Sequence, residues 1–289
     1  MRAGFVTCVK LGLGCMEEIY NIGGSLDLVI TLHDYLAQAK SGRVYVDNFC
    51  LQHNIPVIKI KNINEPEAIR AIIEHKIDWL FIIGWSQIAK KDVLEAPNKG
   101  CLGMHPTLLP EGRGRAAIPW AILKGLRQTG VTLFKLDEGV DTGPIIAQEI
   151  INIEERETAT TLYEKVINAH KSLIRKVWPI LVNDKVVATP QQNELATYWP
   201  ERKPEDGRIF PEMKVEEVDR LVRAVTRPYP GAFVIKNGEK YIIWSGIPRW
   251  CEVGNPDLSV DNDRHLWIKV IDGYFEACDW EKVSDKESV

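Results

Sequence analysis

The chain has 289 residues, 45% of them hydrophobic and 26% charged, with 36 Lys and Arg against 40 Asp and Glu for a formal net charge of -4. The length is long for one domain and comfortable for two, and the composition is that of an ordinary soluble globular protein. The mild acidity excludes a broad basic face for nucleic acid, though not a local patch. The opening Met1-Arg2-Ala3-Gly4-Phe5-Val6-Thr7 is too short in apolar residues for a signal peptide, and no run of about 18 uncharged apolar residues is present to span a membrane. Cys8, Cys15, Cys50, Cys101, Cys251 and Cys278 lie far apart with no C-x-x-C pair. That spacing supports neither a zinc site nor a dense disulfide framework, and it suits reduced thiols in the cytoplasm. No metal is expected.

Residues 3–9 read as a short apolar strand. Lys10-Leu11-Gly12-Leu13-Gly14 follows, then a helical pattern (Cys15, Met16, Ile19, Tyr20) that stops at Gly23-Gly24. Gly12 and Gly14 hint at a turn that contacts a phosphate or sugar. The full G-x-G-x-x-G is missing and no acidic residue closes the next strand, so NAD is not expected and plain turn chemistry competes. Leu26–Thr31 reads as a second strand, 44–53 as helical and Ile55–Lys59 as a third strand. Pro66 opens a helix to about His75, and Trp79–Ile83 is a fourth strand. Strands alternating with helices predict a parallel sheet covered on both faces.

Further on, Val131–Leu136 alternates as a strand, Asp137–Pro144 is a tight acidic loop, and Ile145–Gln148 resumes as a strand. A helix with apolar positions at 162, 166, 169, 173, 177 and 180–181 follows, with Thr158 to Thr161 to cap it. Residues 188–206 turn polar and Pro-rich, which marks a linker or wrapping segment. Val215, Val218, Leu221, Val222 and Val225 form a short helical face. Two strands then meet at Asn237-Gly238, a strong hairpin signal, and 266–271 and 274–278 flank Asp272-Gly273. This end reads as a small β domain, a partial barrel. The expected domains are 1–188, a linker at 189–206, and 207–289. The expected fold class is α/β, a doubly wound and mostly parallel sheet followed by the β-rich domain.

The stretch from Gly103 to Arg115 (Gly-Met-His-Pro-Thr-Leu-Leu-Pro-Glu-Gly-Arg-Gly-Arg) sets a lone histidine between an apolar run and a loop rich in Gly, Pro and Arg. A lone histidine is more often structural than catalytic. Here the irregular backbone at the carboxyl end of a sheet raises the catalytic reading, because open α/β folds place ligands there. Arg113 and Arg115 offer two cations to an anionic substrate; the competing reading is a pair of solvated surface side chains. Asp137 and Asp141 are both candidates, from spacing alone, for the carboxylate that holds His105 and steadies its charged form.

His105-Pro106-Thr107-Leu108-Leu109-Pro110, then Arg113-Gly114, Thr129-Gly130-Val131-Thr132 and Asp141-Thr142-Gly143-Pro144-Ile145-Ile146, resembles the 10-formyltetrahydrofolate-dependent formyltransferases over most of residues 1–180. Leu221–Val225 followed by Pro228-Tyr229-Pro230-Gly231-Ala232-Phe233 is similar to the opening of the second domain of methionyl-tRNA formyltransferases and sugar N-formyltransferases. The resemblance implies a Rossmann-like catalytic domain at 1–188 and 10-formyltetrahydrofolate as formyl donor in one-carbon metabolism. His105 and Asp141 match two members of the family's Asn–His–Asp trio. The Asn position is Gly103 here. The family's Asn is thought to hold the oxyanion, and losing such a donor lowers the rate by about 100- to 1000-fold. Three readings follow. Another donor replaces it (a backbone N–H near Gly103, Ser86, Gln87, or protonated His105), the chemistry is slow or altered, or the protein binds ligand without turnover. By position, Trp85, Ser86, Gln87 and Ile88 match one folate loop and Gly139, Val140 and Asp141 the other; Trp85 serves equally as a core anchor.

The acceptor is weighed from charge and motif. Residues 207–289 carry 12 Lys and Arg against 15 Asp and Glu, and residues 32–43 carry only Lys40 and Arg43. Both counts argue against tRNA, which needs basic surface for phosphates. Arg113-Gly114-Arg115-Ala116 resembles the motif of enzymes that formylate a nucleotide-linked 4-amino sugar. The expected acceptor is therefore a small-molecule amine on a nucleotide-linked sugar, with Gly12, Gly14, Thr107, Arg113 and Arg115 as its contacts. Methionyl-tRNA is the alternative acceptor, and a non-catalytic folate or sugar-nucleotide binder is the alternative class. A homodimer is the expected assembly, since symmetric dimers are the commonest oligomers.

Overall fold

A computed structural model describes residues 1–37, 41–250, 258–261 and 264–283; Lys40 and Cys251 lie outside them. In chain order the elements are β1 (Ala3–Val6), α1 (Lys10–Asn21), β2 (Leu28–Leu32), α2 (Asp34–Ala37), α3 (Asp47–Gln52), β3 (Val57–Ile60), α4 (Pro66–Glu74), β4 (Trp79–Ile83), α5 (Lys91–Glu95), β5 (Gly100–His105), β6 (Arg113–Gly114), α6 (Ala117–Leu123), β7 (Gln128–Lys135) and β8 (Ile145–Asn152). Then come α7 (Ala159–Val182), β9 (Tyr198–Trp199), α8 (Val215–Val225), β10 (Ala232–Lys236), β11 (Glu239–Arg249), β12 (Leu258–Val260), β13 (Leu266–Val270) and β14 (Gly273–Val283).

The chain divides into two compact units. The first comprises Met1–Ala117, Gln128–Asn152 and Glu164–Pro200. Its seven-stranded sheet has the order β3-β2-β1-β4-β5-β7-β8. The first five strands are parallel, and β7 and β8 are antiparallel additions. Every residue of β2 and of β4 is buried, which is why β4 reads as an unbroken apolar run and β2 as one interrupted only by Thr31: a parallel strand is covered on both faces. Edge strand β8 alternates in exposure along its second half instead. The order reverses beside β1, with β2 on one side and β4 on the other, so the loops after β1, β4 and β5 leave the sheet at the end where such folds bind ligands. Pro66 opens α4, where its missing N–H and fixed φ suit a first helical turn. Thr158 caps α7, its hydroxyl accepting from the Thr161 N–H at 3.2 Å.

Two local expectations change. Gly12 and Gly14 do not form a loop, because α1 already begins at Lys10. A Cβ at Gly12 would stand 2.0 Å from the Thr7 hydroxyl oxygen, so glycine here lets the helix close against the end of β1. The helix expected over 44–53 is shortened to α3.

The second unit comprises Ile118–Arg127, Ile153–Tyr163 and the chain from Glu201. Its sheet runs β10-β11-β14-β13-β12, antiparallel throughout. Asn237 and Gly238 both have positive φ, 53° and 79°, the backbone that a two-residue hairpin turn requires. The expected partial barrel is an open sheet among the described residues, with β10 and β12 at its edges. No helix of the described residues is long and apolar enough to cross a membrane.

Candidate active site

Strand β5 alternates so that Gly103 and His105 share a face, and His105 ends the strand with 8% of its surface exposed. Its Nε2 lies 2.8 Å from the Gly112 carbonyl oxygen. A carbonyl only accepts, so this nitrogen carries a proton. Nδ1 faces Asp141 Oδ2 at 3.5 Å, and the same oxygen accepts the Gly114 N–H at 2.9 Å. The tautomer is thus set by the Gly112 carbonyl, where the sequence pointed to the carboxylate. The two aspartates separate cleanly: Asp137 Oδ1 accepts from Gly139 N–H at 3.1 Å and from the Thr142 hydroxyl at 2.7 Å, tying its own loop together. Asp141 sits at φ +55°, a left-handed conformation that aspartate tolerates better than most residues.

The loop after His105 is fastened from several directions. The Thr132 hydroxyl on β7 donates to the Thr107 carbonyl at 2.7 Å and accepts from Leu109 N–H at 3.0 Å. Gln148 on β8 donates to the Leu109 carbonyl at 2.8 Å. The segment 189–200 then lies along residues 110–115. Gly112 N–H donates to the Thr197 hydroxyl at 2.8 Å, Arg113 N–H to the Thr197 carbonyl at 2.9 Å and Arg115 N–H to the Trp199 carbonyl at 3.1 Å. A Cβ at Gly114 would stand 2.3 Å from that last oxygen, so the parallel pairing of β6 with β9 requires glycine. The region read as a linker or wrapping segment therefore supports the site through Gln191, Asn193, Thr197 and Tyr198. A polar, Pro-rich stretch carries no signal for such a role.

Arg113 corrects an expectation. Only 1% of its surface is exposed. Its Nε and Nη2 donate to Gln191 Oε1 at 3.1 and 2.8 Å, Nη2 also donates to Asn193 Oδ1 at 2.8 Å, and Nη1 donates to the Tyr198 hydroxyl at 2.9 Å. Four hydrogen bonds and burial make it a strut, not a substrate ligand. Arg115 is exposed, and its Nη2 donates to the Ser86 carbonyl at 3.1 Å. Thr107 is buried, and its hydroxyl has no partner among the described residues.

Gly103 lies inside the sheet, paired with Ile82 and with Phe134, so its N–H belongs to the strand ladders and is not a spare donor. A Cβ there would meet Leu136 Cδ2 at 2.7 Å. An apolar side chain fills the space beside Gly103. In the candidate folate loop the Gln87 side chain, named among the replacement oxyanion donors, is engaged elsewhere: its amide accepts from Ile63 N–H at 2.9 Å and donates to the Lys61 carbonyl at 2.8 Å. Trp85 packs with Cys8, Val9, Leu32 and Leu11, and its indole N–H is buried without a partner among the described residues. Ile88 and Val140, one on each candidate folate loop, expose 58% and 45% of their surface. Gly139 must be glycine, since a Cβ would stand 1.9 Å from the Thr142 hydroxyl.

His170 on α7 went unnoticed in the sequence. It is buried, and desolvation pushes its pKa down to about 4, with the charge of His105 acting in the same direction and a bond to the Val166 carbonyl opposing both. It is a neutral neighbour of the site near neutrality. Cys8, Cys15, Cys50 and Cys101 are buried free thiols, and Cys278 is exposed; burial pushes Cys101 up to about 12. In the second unit His265, Glu276 and Cys278 bring donor atoms within 4.8 Å of one another. Arg249 holds Glu276 Oε2 from Nε at 2.6 Å and Nη2 at 2.5 Å, and Oε1 faces His265 Nδ1 at 2.8 Å, so both carboxylate oxygens already have partners.

A histidine at the carboxyl end of a strand, beside a carboxylate from the loop between β7 and β8, is an arrangement that can take up and pass on a proton. Comparison with known proteins makes the class specific. The formyl transferase family model matches residues 21–177, and its formyl transferase C-terminal domain model matches residues 202–272. The chain belongs to the formyl transferase family and is an N-formyltransferase; the family's donor is 10-formyltetrahydrofolate. It is 33% identical over 234 residues to the bifunctional polymyxin resistance protein ArnA of Wigglesworthia glossinidia brevipalpis, a match covering 81% of this chain and only 35% of that one. It is 30% identical over 246 residues to the methionyl-tRNA formyltransferase of Alkaliphilus oremlandii, covering 84% and 79%. Among solved structures, the N-formyltransferase of Helicobacter canadensis in complex with folinic acid and dTDP-3-aminofucose superposes with a TM-score of 0.69 at 20% identity, over 97% of this chain and 99% of that one.

Proposed function

We propose that the protein transfers the formyl group of 10-formyltetrahydrofolate to the primary amine of a nucleotide-linked amino sugar. The pairing of His105 with Asp141 in the formyl transferase motif carries the reading. The donor supplies an activated formyl carbon. The amine nitrogen forms the new C–N bond as the bond to the folate nitrogen breaks, and the proton lost by the amine ends on the released tetrahydrofolate. His105 Nδ1 and Asp141 Oδ2 are the two seats for that proton on the way. A proton on Nδ1 leaves the ring with both N–H groups facing acceptors, Gly112 and Asp141, which is the arrangement a general base needs. The residues fit a flat heteroaromatic donor: exposed Ile88 and Val140 offer apolar edges, and the orphaned Trp85 indole N–H offers a donor.

The sugar acceptor is supported by the acidic balance of residues 207–289 and by the ligands of the Helicobacter canadensis enzyme, whose chain this one matches almost end to end. Methionyl-tRNA is the competing acceptor, favoured by the Alkaliphilus oremlandii relative. Leu136 against Gly103 favours the binding-only reading. Catalysis is assigned to 1–188, with 207–289 as a separate domain, in a cytoplasmic homodimer; the buried free thiols suit that compartment. The test is release of tetrahydrofolate, followed by absorbance, with a panel of nucleotide-linked amino sugars and with methionyl-tRNA. Turnover that depends on one sugar amine supports the proposal. Turnover with methionyl-tRNA alone, or tight folate binding without turnover on any amine, overturns it.

A further inference from the structure

We propose that Gln191 is a positioning residue, one that holds the Asp141 loop in register with His105; the inference rests on the formyl-transfer reading of that pair. A carboxamide offers two N–H donors and two acceptor lone pairs, and Gln191 uses all four. Nε2 donates to the Asp141 carbonyl at 2.9 Å and to the Gly143 carbonyl at 2.7 Å. Oε1 accepts from Arg113 Nε and Nη2 at 3.1 and 2.8 Å. The two carbonyls bracket Thr142 in a loop with little freedom. Asp141 is at φ +55°, and a Cβ at Gly143 would stand 1.8 Å from the Lys135 carbonyl oxygen. Fixing that backbone fixes where the Asp141 carboxylate stands, 3.5 Å from His105 Nδ1.

The other half of the amide grips Arg113, the neighbour of Gly112, whose carbonyl holds His105 Nε2. One side chain therefore couples the two groups that hold the imidazole. It reaches the site because Thr189 bridges to Ile145 in both directions, at 2.8 and 2.7 Å, and because Thr197 and Trp199 dock on residues 112–115.

Two variants separate positioning from mere fastening. Gln191→Glu keeps both acceptors for Arg113 and turns that contact into an ion pair, while it removes both donors to the Asp141 loop. Gln191→Leu removes everything. If Gln191 only fastens the segment to Arg113, the glutamate is tolerated and the leucine is not. Positioning predicts that both lower kcat by about 10- to 100-fold, the usual penalty for a displaced reacting group, with the KM for the folate donor little changed. The Gln191→Glu loss vanishes in an Asp141→Ala background, since the two donors that this substitution removes act through the Asp141 loop. Amide hydrogen exchange supplies a readout that needs no turnover: in Gln191→Glu residues 139–144 exchange faster while 112–115 stay protected. A wild-type protein that releases no tetrahydrofolate with any amine sinks the formyl-transfer reading, and the exchange experiment still judges Gln191. The proposal is overturned by a Gln191→Glu kcat within about two-fold of wild type, by an equal loss in the Asp141→Ala background, or by unchanged exchange at 139–144.

Discussion

The loops that follow β4 and β5 leave the sheet at the same end, side by side, and they are built in opposite ways. The loop from Pro106 to Arg115 is held from β7, from β8 and along its length by residues 197–199, and its Arg113 is buried. The loop from Gly84 to Ile88 is held from beneath, by Gln87 on the backbone of Lys61 and Ile63, and it exposes Gly84, Ser86 and Ile88. The reacting pair stands on the fixed side, where small displacements are expensive. The open side keeps exposed surface for ligands to reach. The contrast is sharpest in Arg113 and Arg115, which one glycine separates: the first is a strut inside the fixed loop, the second lies exposed between the two loops.

The largest effect should fall on the fixed side. His105→Ala is expected to lower kcat/KM by about 100- to 10 000-fold, the usual worth of a positioned general base, while Ser86→Ala on the open loop changes it little. Equal losses, measured by tetrahydrofolate release, would mean that the two loops do not divide the work in this way. Next is Arg113→Met. It leaves Gln191 Oε1, Asn193 Oδ1 and the Tyr198 hydroxyl without their shared donor, and urea unfolding should show a loss of about 3 kcal/mol, since bonds to a charged group are the strong ones. A neutral result would say that solvent or other side chains replace the guanidinium and that the loop is not fixed from that side.

Gly103→Asn should destabilise by about 1–3 kcal/mol, as overpacking of a filled site does, because its Cβ runs into Leu136. Adding Leu136→Ala should restore most of the loss. If the double variant also turns over faster than wild type, the space beside His105 lacks a useful donor in the natural protein. If it turns over more slowly, Leu136 has a part in the site.

The parallel half of the first sheet was legible because its central strands are covered on both faces, so β4 appears as an unbroken apolar run and β2 as one interrupted only by Thr31, with turn residues between them. His105 and Asp141 were legible because the motif carries them. Without the motif, Asp137 and Asp141 look alike, four residues apart in one acidic loop; the partners of their carboxylates tell them apart. Gly12 and Gly14 misled for a physical reason: glycine usually punctuates, and here, inside a helix, Gly12 makes room for Thr7 and Gly14 for Lys171 and Ile167. Arg113 and Arg115 are indistinguishable as sequence, because burial is decided by a segment some 80 residues away. Gln191 had no signature at all. A glutamine in a polar stretch looks the same whether it faces water or holds two carbonyls.

The smallest effect sharpens the comparison most. Arg115→Ala should leave stability and kcat unchanged and raise the KM for a nucleotide-linked acceptor by about 2- to 5-fold, which is what an exposed charge contributes to an ion pair. The wild-type KM should climb with ionic strength and the variant's should climb less, because screening already weakens what the arginine supplies. Its contact with the Ser86 carbonyl is an exposed bond of 3.1 Å, and exposed contacts of a charged side chain add little to stability. A fall in kcat with unchanged KM would place Arg115 with Arg113 as part of the fixed loop, and the distinction between the two sides would then rest on Ile88 and Ser86 alone.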